Sequence, residues 1–393
     1  MREIGVAERR ARLGRRHGLA DEARFTGAVD AATALWGLHA TDPVSIYLSL
    51  RARIDGFRPE HLETAMYDEH RVVRMLGMRR TVFVIPVDRA AVMHQACSAK
   101  VAATHRRALV KLLEENGNDQ ADGWLADLER RVVETLTTLG AATAVELSAA
   151  VPDLRTSVSV SLDKPYGGTG AINNRVLTQL AADGQIVRGR PTGRWTSTRY
   201  RWEPVGHWID QPLDSVDPTD AEATMAGEWL RTYGPATEAD LRWWAGWTLT
   251  QTRRALATIG AIEVGLDGAA GWAMPDDLDP VIDPQPWVAL LPALDPTAMG
   301  WKDRDWYLGP HRDALFDRSG NIGPTIWSDG RVVGGWAQRP DGSIAWRLLE
   351  DLGRDTEEAV EREAGAVEFW LGDVRFKPKF RTPTERSLLE PDA

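Results

Sequence analysis

The order of the elements between residues 221 and 274 constrains the fold most strongly. An amphipathic stretch ends at Gly234, and helix-start signals follow at Thr237 and Thr248. Two short β-rich runs come next, joined by Asp267-Gly268, a residue pair typical of hairpin turns. Three helices and a hairpin in this order predict a winged-helix module, which is a DNA-binding unit.

The same order of elements is predicted twice more. In the first unit the third helix is expected over residues 61–73 and a strand pair within residues 77–86, and the part after Asp283-Pro284 is β-rich. The predicted fold class is α+β, with three tandem winged-helix modules followed by a β-rich, barrel-like C-terminal domain. The expected boundaries are 1–120, 121–205, 218–278 and 284–393.

The charge is unevenly distributed along the chain. The whole sequence of 393 residues carries −10, but the part up to Trp202 carries +6 and the remainder −16. A local basic surface is what contact with phosphates requires, which makes double-stranded DNA the expected partner. Uneven charge that arose by chance is the alternative.

Composition predicts a cytoplasmic protein, nucleoid-associated when bound to DNA. Cys97 is the single cysteine, so neither an internal disulfide framework nor a four-cysteine zinc site can form. The N-terminal residues are charged and lack an apolar signal core, and no apolar run reaches the length of a membrane span. We expect a monomer that does not associate with membranes.

A polar cluster at residues 37–43, which is predicted to end an otherwise apolar helix, is the candidate catalytic site. His39 could position or deprotonate a water molecule, Thr41 could hold it, and Asp42 could stabilise a cationic sugar. These roles belong to hydrolysis of an N-glycosidic bond. In the alternative interpretation, Asp42 caps the following helix and His39 is a buried side chain whose polar atoms are satisfied.

Arginines supply the candidate DNA-binding residues. Five lie in a hairpin predicted in the second unit, where they would follow a phosphate backbone as a wing; a solvated edge hairpin is the alternative. Further arginines are expected on basic helices of the first unit. The full set is Arg71, Arg74, Arg79, Arg80, Arg106, Arg107, Arg188, Arg190, Arg194, Arg199 and Arg201.

Three other sequence features are weaker indications of function. The glycine-rich segment 166–170 lacks the spacing of a dinucleotide loop, and either contacts a DNA phosphate or is a plain loop. Asp303, Arg304, Asp305, Trp306 and His311 are interpreted as a structural ion-pair group. Most of the 17 tryptophans have helical spacing and are expected in the core.

Three stretches resemble the AlkZ/YcaQ-like winged-helix DNA glycosylases of bacteria: GLHATDPVSIYLSLRAR, RTYGPATEADLRWWAG, and LLPALDPTAMGWKDRDWYLGPHRD with its continuation DGRVVGGWAQR. The resemblance implies three winged helices cradling DNA and excision of alkylated purines. In that family Gln-x-Gln or Gln-x-Asp positions the hydrolytic water. The matching positions here are His39 and Thr41, so both residues differ.

The sequence therefore predicts a monofunctional DNA glycosylase that acts on alkylated purines, such as N7 adducts and in some members interstrand crosslinks. No lysine lies within residues 37–43, so a Schiff-base lyase step is not expected, and neither is a metal or organic cofactor. The alternatives are a non-catalytic DNA-binding protein, either a regulator or a damage binder, and a small-molecule binder that uses the C-terminal domain.

Overall fold

The computed structural model describes residues 1–160, 167–376, 378 and 381–390. This part of the chain contains both helices and strands. The helices are α1 (Val6–Arg16), α2 (Ala28–Ala34), α3 (Pro43–Arg51), α4 (Pro59–Glu63), α5 (Ala90–Met93), α6 (Ala99–Glu115), α7 (Ala121–Leu139), α8 (Ala144–Ala150), α9 (Asn173–Ala182), α10 (Pro218–Tyr233), α11 (Glu238–Ala245), α12 (Leu249–Thr258), α13 (Asp305–Leu308), α14 (Arg312–Leu315), α15 (Arg354–Leu371) and α16 (Pro383–Leu389).

The strands pair mainly as antiparallel hairpins. They are β1 (Leu38–His39), β2 (Val72–Leu76), β3 (Val82–Pro86), β4 (Ser157–Val160), β5 (Gly168–Ala171), β6 (Ile186–Pro191), β7 (Tyr200–Pro204), β8 (Ile262–Leu266), β9 (Ala269–Ala273), β10 (Val288–Leu291), β11 (Thr325–Ser328), β12 (Arg331–Gln338) and β13 (Ile344–Leu348).

The chain forms two compact units. The discontinuous unit contains Met1–Leu62 and Ala223–Ala393, and the continuous unit contains Glu63–Glu222. The predicted first module, residues 1–120, is therefore divided between them. No helix in the described part of the chain is both long enough and apolar enough to span a bilayer.

Helices α10, α11 and α12 followed by the β8–β9 hairpin reproduce the order predicted for residues 218–278. Thr237 and Thr248 cap α11 and α12 through capping boxes, each accepting a backbone N–H at the third helical position. Asp267 and Gly268 connect the two strands with φ values of 47° and 91°, the left-handed conformation that a tight hairpin turn requires.

The C-terminal part is β-rich as predicted, but it is not a barrel. Its described strands form one antiparallel sheet in the order β10-β11-β12-β13, which leaves β10 and β13 as edges. Helix α15 packs against both of these edge strands through an apolar stripe that includes Val360, Ala364 and Val367. Closure into a barrel would require β10 and β13 to pair with each other, but α15 contacts both strands instead. The barrel-like expectation was therefore wrong.

The continuous unit is built around α7. Leu125, Leu128, Val132 and Leu136 form its buried stripe at helical spacing and pack with residues of α6, α8 and α9. The hairpins β2–β3, β4–β5 and β6–β7 complete this unit. The glycine-rich segment is partly strand, because residues 168–171 form β5, whereas residues 161–166 lie outside the described part.

Three local predictions need correction. The helical region of residues 59–68 ends at Asp68, so residues 72–73, predicted as helix, belong to β2. The strand pair is β2 with β3, and Met78–Arg80 form the turn between them. The predicted wing is also shorter, because residues 192–199 connect β6 and β7 as a loop.

Candidate functional site

His39 lies in a short extended segment and not at a helix end as the sequence predicted. Helix α2 stops at Ala34, after which Trp36 and Gly37 adopt positive φ values of 56° and 106°. This turn leads into β1, where His39 is only 5% exposed. Thr41 is exposed, so these two of the three predicted catalytic side chains differ in their access to solvent.

Asp42 is the N-cap of α3, as the structural alternative proposed. Its carboxylate accepts a hydrogen bond from the hydroxyl of Ser45 at 3.0 Å and a long one from the amide of Val44 at 3.4 Å, and Pro43 occupies the first helical turn. Burial raises the pKa of Asp42, although these hydrogen bonds oppose the rise. The geometry leaves this carboxylate partly exposed beside Thr41.

A fully buried ion pair lies behind this segment. Arg53, just beyond α3, donates to both carboxylate oxygens of Asp295, at 2.7 and 2.9 Å, and both side chains have zero exposure. Ser49 and Thr297 accept further hydrogen bonds from the guanidinium. Burial alone would raise the pKa of Asp295, but the positive charge of Arg53 reverses the direction and the pKa is lowered. Sequence reasoning named neither partner.

A second buried carboxylate joins two of the stretches on which the resemblance rests. Asp240 of α11, with zero exposure, accepts the backbone N–H groups of Lys302 and Asp303, each at 2.9 Å. The indole of Trp301 donates to the backbone oxygen of Tyr233 at 3.0 Å, and Tyr233 donates through its hydroxyl to Leu35 at 2.9 Å. These contacts hold the backbone at Leu35, which shortly precedes the candidate site.

The wing arginines of the continuous unit have different surroundings. Arg188 is half-buried over the Tyr200 ring, and Arg190 pairs with Asp68 at 2.6 Å. Arg201 donates to the backbone oxygen of Ala141 and lies 3.2 Å from Glu146. The two remaining members are both exposed: Arg194 and Arg199.

The remaining arginines were predicted on helices, but only Arg106 and Arg107 lie on one. Arg71 directly precedes β2 and is exposed, and Arg79 and Arg80 occupy the β2–β3 turn with positive φ values. Arg106 pairs with two acidic side chains of α7, Asp122 and Glu129.

Arg74 differs most from the expectation, because it is a β2 residue that is only 7% exposed. It does not present its guanidinium as a surface arginine would. His39, Thr41 and Asp42 belong to the discontinuous unit and all eleven arginines to the continuous one.

No group of three or more His, Cys, Asp or Glu side chains within the described ranges could hold a metal ion. The polar cluster at residues 303–311 combines aromatic and cationic groups. Arg304 lies over the rings of Trp243 and Phe316, and Trp306 lies under Arg9 at 4.1 Å. These are cation–π contacts, whereas the sequence analysis interpreted the cluster as a structural ion-pair group.

Comparison with known proteins assigns the chain to a family. The family model described as DNA glycosylase AlkZ-like matches residues 32–370, which covers most of the chain and includes all three stretches of the resemblance. The chain belongs to the AlkZ-like DNA glycosylase family.

A curated protein sequence and a solved structure, both from Streptomyces sahachiroi, are similar to this chain. A protein described as an interstrand DNA cross-link repair glycosylase is 28% identical over 202 residues, which is 49% of this chain and 53% of that protein. The alignment thus spans about half the length of this curated relative. The solved structure of the DNA glycosylase AlkZ superposes with a TM-score of 0.71 at 21% identity, covering 93% of this chain and 96% of that one. The chain therefore shares that fold.

Proposed function

We propose that the protein is a monofunctional DNA glycosylase that hydrolyses the N-glycosidic bond of alkylated purines. The substrates would be N7 adducts and, by extension, interstrand crosslinks. The observation that carries the proposal is the match of residues 32–370 to the DNA glycosylase family. The curated relative is described as a crosslink repair glycosylase, which supports the extended substrate range.

The reaction requires few catalytic groups from the protein. An N7-alkylated purine already carries positive charge, so the bond between C1′ and the base breaks with the electron pair leaving on the purine. His39 would accept a proton from the attacking water, and the hydroxyl of Thr41 would hold that water. The Asp42 carboxylate would stabilise the positive charge that develops on the sugar. The product is an abasic site, and no covalent intermediate with the enzyme forms.

We also propose that the α10–β9 segment is a winged helix and that residues 1–120 and 121–205 contain two further modules. Their partner would be double-stranded DNA in the cytoplasm, bound by a monomer. Exposed arginines such as Arg71, Arg80, Arg107 and Arg199 would contact backbone phosphates. No metal or organic cofactor takes part in the proposed reaction.

The test is incubation of the full chain with duplex DNA that carries 7-methylguanine, followed by alkaline cleavage at abasic sites. The proposal expects strand scission only after incubation with the protein and only at the modified base. Release of the free base, measured by chromatography, provides an independent readout. Absence of both products at saturating protein would contradict the proposal.

One observation favours a second function, a DNA-binding protein without catalysis. His39 is 5% exposed, and a hydroxyl at Thr41 stands where the family has an amide or a carboxylate. A damage binder of this kind would retard a modified duplex in a gel and leave its glycosidic bonds intact. If the protein both retards the modified duplex and releases the base, the glycosylase proposal is supported and the non-catalytic function is excluded.

A further inference from the structure

Arg74 is a buried arginine, and no ion pair is found for it within the described part of the chain. It lies in the middle of β2, opposite Val84 of β3, and is only 7% exposed. Its Nε is enclosed, and this atom has no hydrogen-bond partner among the described residues. Buried charges in proteins are as a rule paired, because removing an ion from water costs several kcal/mol.

A second arginine adds to this uncompensated positive charge. Strand β6, which packs against β2, carries Arg188. Burial lowers the pKa of Arg188, and the positive charge of Arg74 lowers it further, whereas Tyr200 acts in the opposite direction. The Arg188 guanidinium lies 4.7 Å from the centre of the Tyr200 ring. Two guanidinium groups of like charge therefore lie close together inside the continuous unit.

The edge of this cluster is partly open to solvent. Tyr67 is half-buried, and its hydroxyl is enclosed without a hydrogen-bond partner in the described structure. Arg190 lies over the Tyr67 ring at 4.9 Å and is 46% exposed. Of the carboxylates near this cluster, Asp68 binds Arg190 at 2.6 Å and Glu203 lies 3.3 Å from His207, and Glu63 also acts on Tyr67.

We propose that Arg74, Arg188 and the Tyr67 hydroxyl form a binding site for a phosphate oxyanion. Guanidinium groups only donate hydrogen bonds and a phenolic hydroxyl can donate one, whereas a phosphate supplies several acceptor oxygens together with negative charge. This inference deepens the proposed function and rests on it for the source of the anion, a backbone phosphate of DNA. Free phosphate is the other source with the same chemistry.

The first experiment measures thermal unfolding of the full chain, free of DNA, with inorganic phosphate and with chloride at equal ionic strength. We expect a saturable rise in melting temperature of several degrees with phosphate alone, because an anion that binds only the folded state stabilises it. Arg74→Met removes an uncompensated charge, so without phosphate it should unfold at the same or a higher temperature. Its response to phosphate should be lost.

The control is Arg130→Met, an exposed arginine of α7 that pairs with Asp127 and Glu134. This variant should keep the full phosphate response. Arg188→Met provides a second test of the site in case Arg74→Met does not fold. A wild-type protein that responds equally to chloride and phosphate, or an Arg74→Met or Arg188→Met variant that keeps the response, would overturn the proposal.

Binding of an undamaged duplex distinguishes the two sources. If the anion is a backbone phosphate, Arg74→Met should bind the duplex at least tenfold more weakly than Arg130→Met. If it is free phosphate, duplex affinity should be unchanged while the response to inorganic phosphate is still lost. Neither assay reads base release, so failure of the glycosylase proposal would not be mistaken for failure of this one.

Discussion

Arg53 and Asp295, which are 242 positions apart in the chain, form a two-pronged ion pair with no solvent exposure. Arg53 lies two residues after the end of α3, the helix that follows the candidate catalytic segment, and Asp295 lies in the C-terminal stretch on which the resemblance rests. The Arg53 guanidinium also donates to the backbone oxygens of His17 and Ser49. Every N–H group of this guanidinium has an acceptor. The pair therefore holds the end of α3 and the C-terminal stretch together within the discontinuous unit.

Asp295→Asn should destabilise the protein strongly. It removes the counter-charge and leaves the Arg53 guanidinium buried without compensation, which costs about 3–5 kcal/mol. Urea unfolding followed by tryptophan fluorescence measures the effect. Asp127→Asn is the control, since Asp127 forms exposed pairs on α7 and its loss should be hard to detect. Equal stability of Asp295→Asn and Asp127→Asn would disprove this role.

His17 makes the stability depend on pH. The imidazole is enclosed between Tyr233 and Trp301, and burial lowers its pKa to about 3. In the unfolded chain the pKa is about 6.5, so between these values only the unfolded state binds the proton. The stabilisation is complete above about pH 6.5 and is lost as the pH falls towards 3, at about 1.4 kcal/mol per pH unit.

Urea unfolding of His17→Gln between about pH 4.5 and 6.5 tests this dependence. The variant loses ring contacts and will be less stable at every pH, so the informative quantity is the slope. We expect a flatter slope than in the wild type. Asp295 does not interfere, because its pKa is lowered from 3.8 and its contribution is lost only at lower pH. Identical slopes would show that His17 is not the titrating group.

The third predicted module illustrates what local sequence signals determine. Thr237 and Thr248 cap helices and Asp267-Gly268 makes a hairpin turn, as predicted, because each signal acts within a few residues. The barrel expectation failed for a reason that is not local. Strand-rich sequence between turn signals does not indicate whether the edge strands pair or are covered, and here α15 contacts both of them.

The candidate site was predicted only in part. His39, Thr41 and Asp42 were identified because a polar cluster interrupts an apolar run, and the capping role of Asp42 follows from the proline after it. The burial of His39 depends on the turn at Trp36 and Gly37, which sequence spacing does not reveal. Arg53 and Asp295 were missed because their pairing joins distant segments. The signal that the sequence offered for Arg53 was an apolar helical stretch followed by the residues Arg-Ala-Arg.

Asp42 substitutions separate capping from catalysis. Asparagine is as good an N-cap as aspartate, so Asp42→Asn should change the unfolding free energy by less than about 0.5 kcal/mol, whereas Asp42→Ala should cost about 1 kcal/mol. If the charge stabilises the sugar cation, both variants should slow base excision by about 100-fold. Stability and single-turnover excision are measured on the same preparations. An Asp42→Asn enzyme with wild-type excision would leave this residue only its capping role.

The salt dependence of DNA binding tests the exposed arginines. The logarithm of the affinity should fall linearly with the logarithm of salt concentration, and Arg199→Ala should reduce the magnitude of the slope by about 0.9. Arg106→Ala should have a smaller effect, because Asp122 and Glu129 already balance that charge. Fluorescence anisotropy with a labelled duplex gives both slopes. A slope unaffected by Arg199→Ala would remove this residue from the interface.

The central claim is that His39 positions the water that attacks the sugar, and the most direct measurement is single-turnover excision of 7-methylguanine by three variants. His39→Ala should lower the rate roughly 100-fold or more. His39→Gln introduces the side chain that the family uses at this position and should recover most of the loss, and His61→Ala, at an exposed histidine, should react like the wild type. Excision by His39→Ala at the wild-type rate would contradict the account.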